Sequence, residues 1–217
     1  MALADYIGRY WAGAETIYGV IIAMTFTSVL RGYPQVFAMV LSRTVYAALA
    51  CCLAWGFADG MFYFWERSYI IRQENRIIEL SKSEEKEPAV TLVGEQLDDT
   101  ILRNIPGEQR LQLYQRLVQF LSGVNARGKL TARDGGTIIF GTFIRSAAAG
   151  FFVVLPFFLI HDIPMALRVS NLLGILLLFA VGYLRALDKD LTSRMAYGVG
   201  TSLIGIVIAG ITVVLGG

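Results

Sequence analysis

The stretch Ala47–Arg76, AALACCLAWGFADGMFYFWERSYIIRQENR, decides the fold. Its first part is an apolar run of membrane-helix character, and its second part is charged at helical spacing. No Gly or Pro separates the two after Gly60, so the pattern predicts one long helix that leaves a bilayer and continues into water. Phe62, Phe64 and Trp65 mark the crossing, where aromatic rings favour the membrane–water boundary. Inside the apolar part stands a carboxylate, Asp59. A charge at such depth is costly and marks a functional or pairing role.

Composition agrees with a membrane chain. The sequence of 217 residues is 55% hydrophobic and 17% charged, with a mean hydropathy of +0.57. An ordinary soluble domain carries about 25% charged residues. The formal net charge of +2 gives no basic surface for nucleic acid. Cys51 and Cys52 are adjacent within the apolar run, which gives neither a disulfide framework nor metal-ligand spacing. The beginning, MALADYIGRYWAGAE, lacks a basic stretch followed by an apolar core, so no cleaved signal is expected.

Working outward, a first span is expected from Trp11 to Leu30, ended by Arg31, Gly32 and Pro34. The stretch YPQVFAMVLSR then reads as an interfacial segment or as a loop plus the start of the next helix. The second span covers Thr44–Trp65. Its watery continuation reads as helix from Glu66 to Glu87, closed by the charge run SKSEEKEP. EQLDDTILRNI and GEQRLQLYQRLVQFLSG are two further helical patterns. The second places Leu111, Tyr114, Leu117, Val118 and Leu121 on one face, with Pro106 in its first turn and Gly123 as its cap. That face requires the long helix, another subunit or a membrane surface to cover it. Three more spans follow, near Gly136–Ile160, Ala166–Leu184 and Met195–Leu215, joined by the short loops HDIP and RALDKDLTSR.

The expected architecture is an all-α membrane protein with five transmembrane helices and a helical cytoplasmic insertion between helices two and three. Its divisions are 1–65, 66–134 and 135–217. Basic residues near the span ends (Arg9, Arg185, Lys189 and Arg194 against Arg31, Arg43 and Arg168) predict a multi-pass cell-membrane protein with its N-terminus in the cytoplasm.

Three ionisable residues fall inside predicted spans: Glu15, Asp59 and Arg145. Two readings stand side by side. In one, Arg145 pairs with Asp59 or Glu15 and locks helix packing. In the other, the carboxylates line a cation or proton pathway. Asp59, Tyr63 and Glu66 share a helix face with Trp55. Met24 and Met61 point away from the acids and read as packing. Gly198, Ser202, Gly205 and Ala209 form a stripe of small residues that lets helices approach within a subunit or a dimer. His161, the one histidine, sits in a loop. There is no phosphate-binding Gly-rich loop and no nucleophile elbow, so the chain is not expected to be an enzyme.

This layout resembles the vacuolar iron transporter (VIT) family. The similarity runs through IYGVIIAMTFTSVLRG in the first span, WGFADGMFYFWERS in the second, AAAGFFVVLPFFL in the third and FAVGYLRA in the fourth. The resemblance implies a homodimer in the lipid bilayer that exports a divalent cation, Fe²⁺ or Mn²⁺, by proton exchange, with no tightly bound cofactor. It places Tyr18 and Asp59 at the family's pathway positions; Glu15 and Arg145, the other intramembrane charges, complete the expected pathway set, although a positive charge at Arg145 departs from a cation route. It implies metal-binding acids at Glu15, Asp59, Glu66, Glu74, Glu79, Glu84, Glu85 and Glu87. The sequence departs from the family at Tyr18, which stands where the family has its span-one aspartate, with Glu15 one turn earlier. Residues 66–134 hold eleven acids and eleven bases, which is no net acidic surface. A divergent relative with another solute, or a membrane scaffold with an intramembrane salt bridge, is the alternative.

Overall fold

The computed structural model describes residues 3–30 and 37–216, so the expected stop of the first span at Arg31, Gly32 and Pro34 lies outside the described residues. Among the described residues the secondary structure is helical. Helix α1 covers Leu3–Val29, α2 Phe37–Ser81, α3 Glu87–Leu97, and a 3-10 turn Ile101–Asn104. Helix α4 then covers Gly107–Leu121, α5 Ala132–Val154, the one-turn α6 Pro156–Leu159, α7 Ile163–Arg185 and α8 Leu191–Gly216. Among the described residues, four helices are long and apolar enough to cross a membrane: Met39–Ser81 within α2, α5, α7, and Leu191–Ile208 within α8. Gly13–Val29 is a shorter apolar helix.

The chain divides into two compact units. One comprises Met1–Phe64 with Ala132–Gly217, and the other comprises Trp65–Thr131.

In the first unit, α1 packs on α5, α7 and α8, and α7 packs on α8. The common core holds Val20, Ala23, Met24, Ala48, Cys52, Val153 and Leu178. Small residues set the spacing between helices. A Cβ on Gly56 would stand 2.8 Å from Ser146 Cβ and 3.0 Å from Phe143 Cα, so α2 and α5 meet nearly backbone to backbone. Gly150 of α5 faces the Cys52 sulfur in the same way. Hydroxyls tie neighbouring helices through backbone carbonyls: Ser146 donates to Cys52 O at 2.9 Å, Ser170 to Val153 O at 2.6 Å, and Ser202 to Ile175 O at 3.2 Å. In lipid, where hydrophobic association between helices is weak, such close packing and hydrogen bonding carry the fold. The small-residue stripe of α8 is spent inside the subunit. Gly198 faces the Phe179 ring and Gly205 faces Leu178, both on α7, while the Ala209 side chain lies outside the described residues.

Local chemistry sets the helix ends. Asp162 caps α7 by accepting Met165 N–H at 3.0 Å, and Pro164 occupies the first turn. Asp190 accepts both the Ser193 N–H (3.1 Å) and its hydroxyl (2.7 Å). These bonds hold the Asp190 carboxyl below the usual carboxylate range. The expected third span is broken: α5 ends at Val154 and Pro156 opens a separate turn, because proline cannot donate to the preceding helix.

In the second unit, the far part of α2 meets α3 and α4 around Ile77, Ala89, Val93, Tyr114 and Val118. The long helix extends unbroken from Phe37, but it ends at Ser81 rather than Glu87. Pro88 starts α3 instead of closing the charge run, since its missing N–H costs nothing in a first turn. In α4, Tyr114 and Val118 are buried and Leu117 and Leu121 half-buried, whereas Leu111 is 49% exposed and belongs to the outer face. Pro106 caps α4 from outside its first turn, and Ser122 rather than Gly123 closes it. The Tyr114 hydroxyl donates to Asp98 at 2.8 Å, and Arg110 pairs with Asp98 at 3.3 Å. Burial and the Asp98 carboxylate push the Tyr114 phenol above its ordinary range. Asn75 clasps the backbone of Arg127 in both directions, at 2.9 and 2.7 Å, beside an Arg127–Glu74 ion pair of 2.9 Å.

Candidate functional site

Glu15 lies on α1 in the apolar turn AGAETIYG, with Ala14 and Ile17 buried on either side. Its side chain is 0% exposed. Tyr63, on α2, donates its hydroxyl to Glu15 Oε1 at 2.8 Å. The other carboxylate oxygen, Oε2, is buried with no hydrogen-bond partner. Asp59 stands one turn before Tyr63 on the same face of α2, and its half-buried carboxyl is within hydrogen-bonding range of Glu15 and of Trp55. Trp11 of α1 leans on the Tyr63 ring, with centroids 6.2 Å apart and planes at 51°. Two acids from two helices therefore meet across a tyrosine in a largely apolar setting.

Neighbouring packing fixes this geometry. Gly60, between Asp59 and Tyr63, lets α2 approach the Ile139–Thr142 backbone of α5. Gly19, one turn past Glu15, does the same for α1 against Ser146. A side chain at either position would push the helices apart and separate the acids. The arrangement supplies carboxylate and phenol oxygens, which suit protons and hard or borderline cations and give no soft ligand. Met24 is buried against Gly174 of α7 and is used in packing.

Of the other expected site residues, Tyr18 lies near enough to act electrostatically on Tyr63, while the acids of the second unit do not converge. Tyr18 is 37% exposed on α1, and Arg145 is exposed on α5. Arg145 is close enough to act electrostatically on Glu15. Glu66, Glu79, Glu84, Glu85 and Glu87 are exposed, and Glu74 is held by Arg127. Among the described residues, no group of three or more His, Cys, Asp or Glu side chains converges as a metal site would. The residue that sequence reasoning left out of the site is Tyr63. Its spacing of four placed it on the Asp59 face, but its partner on α1 is set by packing that spacing does not show. No protein-family model matches the chain, and no curated protein matches it.

Proposed function

We propose that this chain is a multi-pass transporter of the cell membrane, similar to the VIT family, that moves a divalent cation such as Fe²⁺ or Mn²⁺ out of the cytoplasm in exchange for protons. The observation that carries this reading is the Glu15 carboxyl group: wholly buried, with one oxygen on Tyr63 and the other without a partner beside Asp59. A buried carboxylate oxygen without a partner is expensive. A proton or a cation shared between Glu15 and Asp59 relieves that cost, and the two compete for the same oxygens. Exchange of one for the other is the chemistry of a coupled carrier.

In this reading Gly13–Val29 is a fifth span. Its 17 residues cover roughly 25 Å at 1.5 Å per residue, and a thinned bilayer or flanking residues make up the remainder. Five spans place the ends of the described chain on opposite sides, and the basic residues near the span ends put the N-terminal side in the cytoplasm. Two carboxylates and one phenol fall short of the six or so oxygens that a hard divalent cation takes. Water, or a second copy in a homodimer, supplies the rest.

Flux of Fe²⁺ and Mn²⁺ into proteoliposomes, with and without a pH gradient, tests the proposal. Wild-type protein carries the ion. Glu15→Gln and Asp59→Asn each reduce flux by at least an order of magnitude while eluting as wild type does. A second reading, a membrane scaffold, draws on the absence of a third converging ligand among the described residues. In that case Glu15 and Tyr63 only tie α1 to α2. The scaffold reading predicts no flux in wild type, and a normally folded Glu15→Gln whose amide oxygen still accepts from Tyr63.

A further inference from the structure

The first residues of α1 do not continue the helix that carries Glu15. At Gly8 the backbone takes φ 79 and ψ 156, a conformation essentially confined to glycine, and the chain turns. The segment before the turn packs on α5. Leu3 is buried with Ile138, and the side chains of Tyr6, Ile7, Tyr63 and Phe64 pack around the two. Tyr6 closes the arrangement by donating its hydroxyl to Asp134, in the first turn of α5, at 2.6 Å. The segment therefore has a hinge at one end and a polar latch near the other. What it lies against is Tyr63, the residue that holds Glu15.

From these contacts we infer that Leu3–Ile7 is a hinged cover over the Glu15–Asp59–Tyr63 site, which must lift from Tyr63 before an ion can reach the acids from that end of the bundle. The inference rests on reading those acids as the exchange site, but its first test does not require transport. The described contact is largely apolar, and the Tyr6 hydroxyl bond to a carboxylate is a polar tie at its end. Such an element opens at modest cost, as gating segments do. A purely structural strap would instead be tied by continuous helix, and Gly8 interrupts that helix.

The test uses the full-length protein in lipid nanodiscs, with Cys51 and Cys52 replaced by Ala and Tyr63→Cys as reporter. The rate at which a membrane-impermeant thiol reagent modifies position 63 is read by peptide mass. Removing the latch with Tyr6→Phe raises that rate about three- to tenfold, the population change expected for one lost hydrogen bond. Gly8→Ala, which strains the hinge, raises it independently. Unchanged labelling in both variants overturns the cover. A second arm closes it covalently. An ideal Cβ on Gly141 would stand 3.3 Å from Leu3 Cβ, close to disulfide geometry. In the same cysteine-free background with Tyr63 intact, oxidised Leu3→Cys/Gly141→Cys protein stops cation flux and reduction restores it. Flux that is indifferent to oxidation overturns the gating role. If wild type carries no cation at all, the transporter proposal fails, and the labelling arm still decides whether the cover opens.

Discussion

Glu15 and Tyr63 concentrate the energetics of the site in one bond. The phenol is the partner the structure gives to Glu15 Oε1, and Oε2 already lacks one. Tyr63→Phe therefore strips a buried carboxyl of its phenol donor and leaves only Asp59 beside it, at a cost of about 1–3 kcal/mol. Thermal unfolding in detergent checks this, and Glu15→Gln, which keeps an acceptor for the phenol, should cost less. A Tyr63→Phe protein as stable as wild type would remove Tyr63 from the site. The acids themselves were legible in the sequence because a carboxylate in an apolar run stands out against its neighbours. Tyr63 was legible as sharing the Asp59 face, but its bond to Glu15 of another helix is set by packing and was not. An amphipathic count places a residue at a depth, but only packing shows that α5 buries Ser146 and leaves much of Arg145 exposed.

At the scale of the helix, spacing is controlled by what is absent from the side chains. Gly56→Ala forces a methyl group to within 2.8 Å of Ser146 Cβ and 3.0 Å of Phe143 Cα, so it should destabilise by about 1–3 kcal/mol. Gly136→Ala, on the facing helix α5 with nothing within 4 Å, should be neutral or should stabilise by about 0.4–1 kcal/mol. Melting of the two variants side by side separates close approach from glycine content. Helix ends give a pH prediction. The bonds from Ser193 lower the Asp190 pKa relative to the unfolded chain. The capping contribution is therefore complete above the ordinary carboxylate pKa and fades as pH falls through the lower folded value. Asp190→Ala should lower the melting temperature at neutral pH and flatten its decline in acid; an unchanged acid profile would sink the assignment. The long helix α2 was legible because nothing interrupts it. Pro88 was misread because a proline that ends one helix and a proline that begins the next look alike until the intervening turn is seen.

For the whole molecule, the division at Trp65–Thr131 separates an apolar helical unit from one whose small core is built on Tyr114 and Val118. The acids that a metal-capturing surface would need are spread over the second unit, exposed or already paired, so the transport proposal assigns ion recognition to Glu15 and Asp59 in the first. Linkage makes that claim measurable without a transport assay. A ligand that binds only the folded state stabilises it by about 2.7 kcal/mol at one hundred times its dissociation constant. For a chain of this size that corresponds to a rise of several degrees in melting temperature. Mn²⁺ added to the detergent-purified protein should produce such a rise at neutral pH. Because the ligating carboxylates must give up protons, the same Mn²⁺ concentration should do less as the pH is lowered. Glu15→Gln and Asp59→Asn should abolish the rise, whereas Glu84→Gln and Glu85→Gln, exposed in the second unit, should leave it unchanged. If the two second-unit variants remove the shift and the first two do not, the cation binds elsewhere, and the paired acids of α1 and α2 serve packing alone.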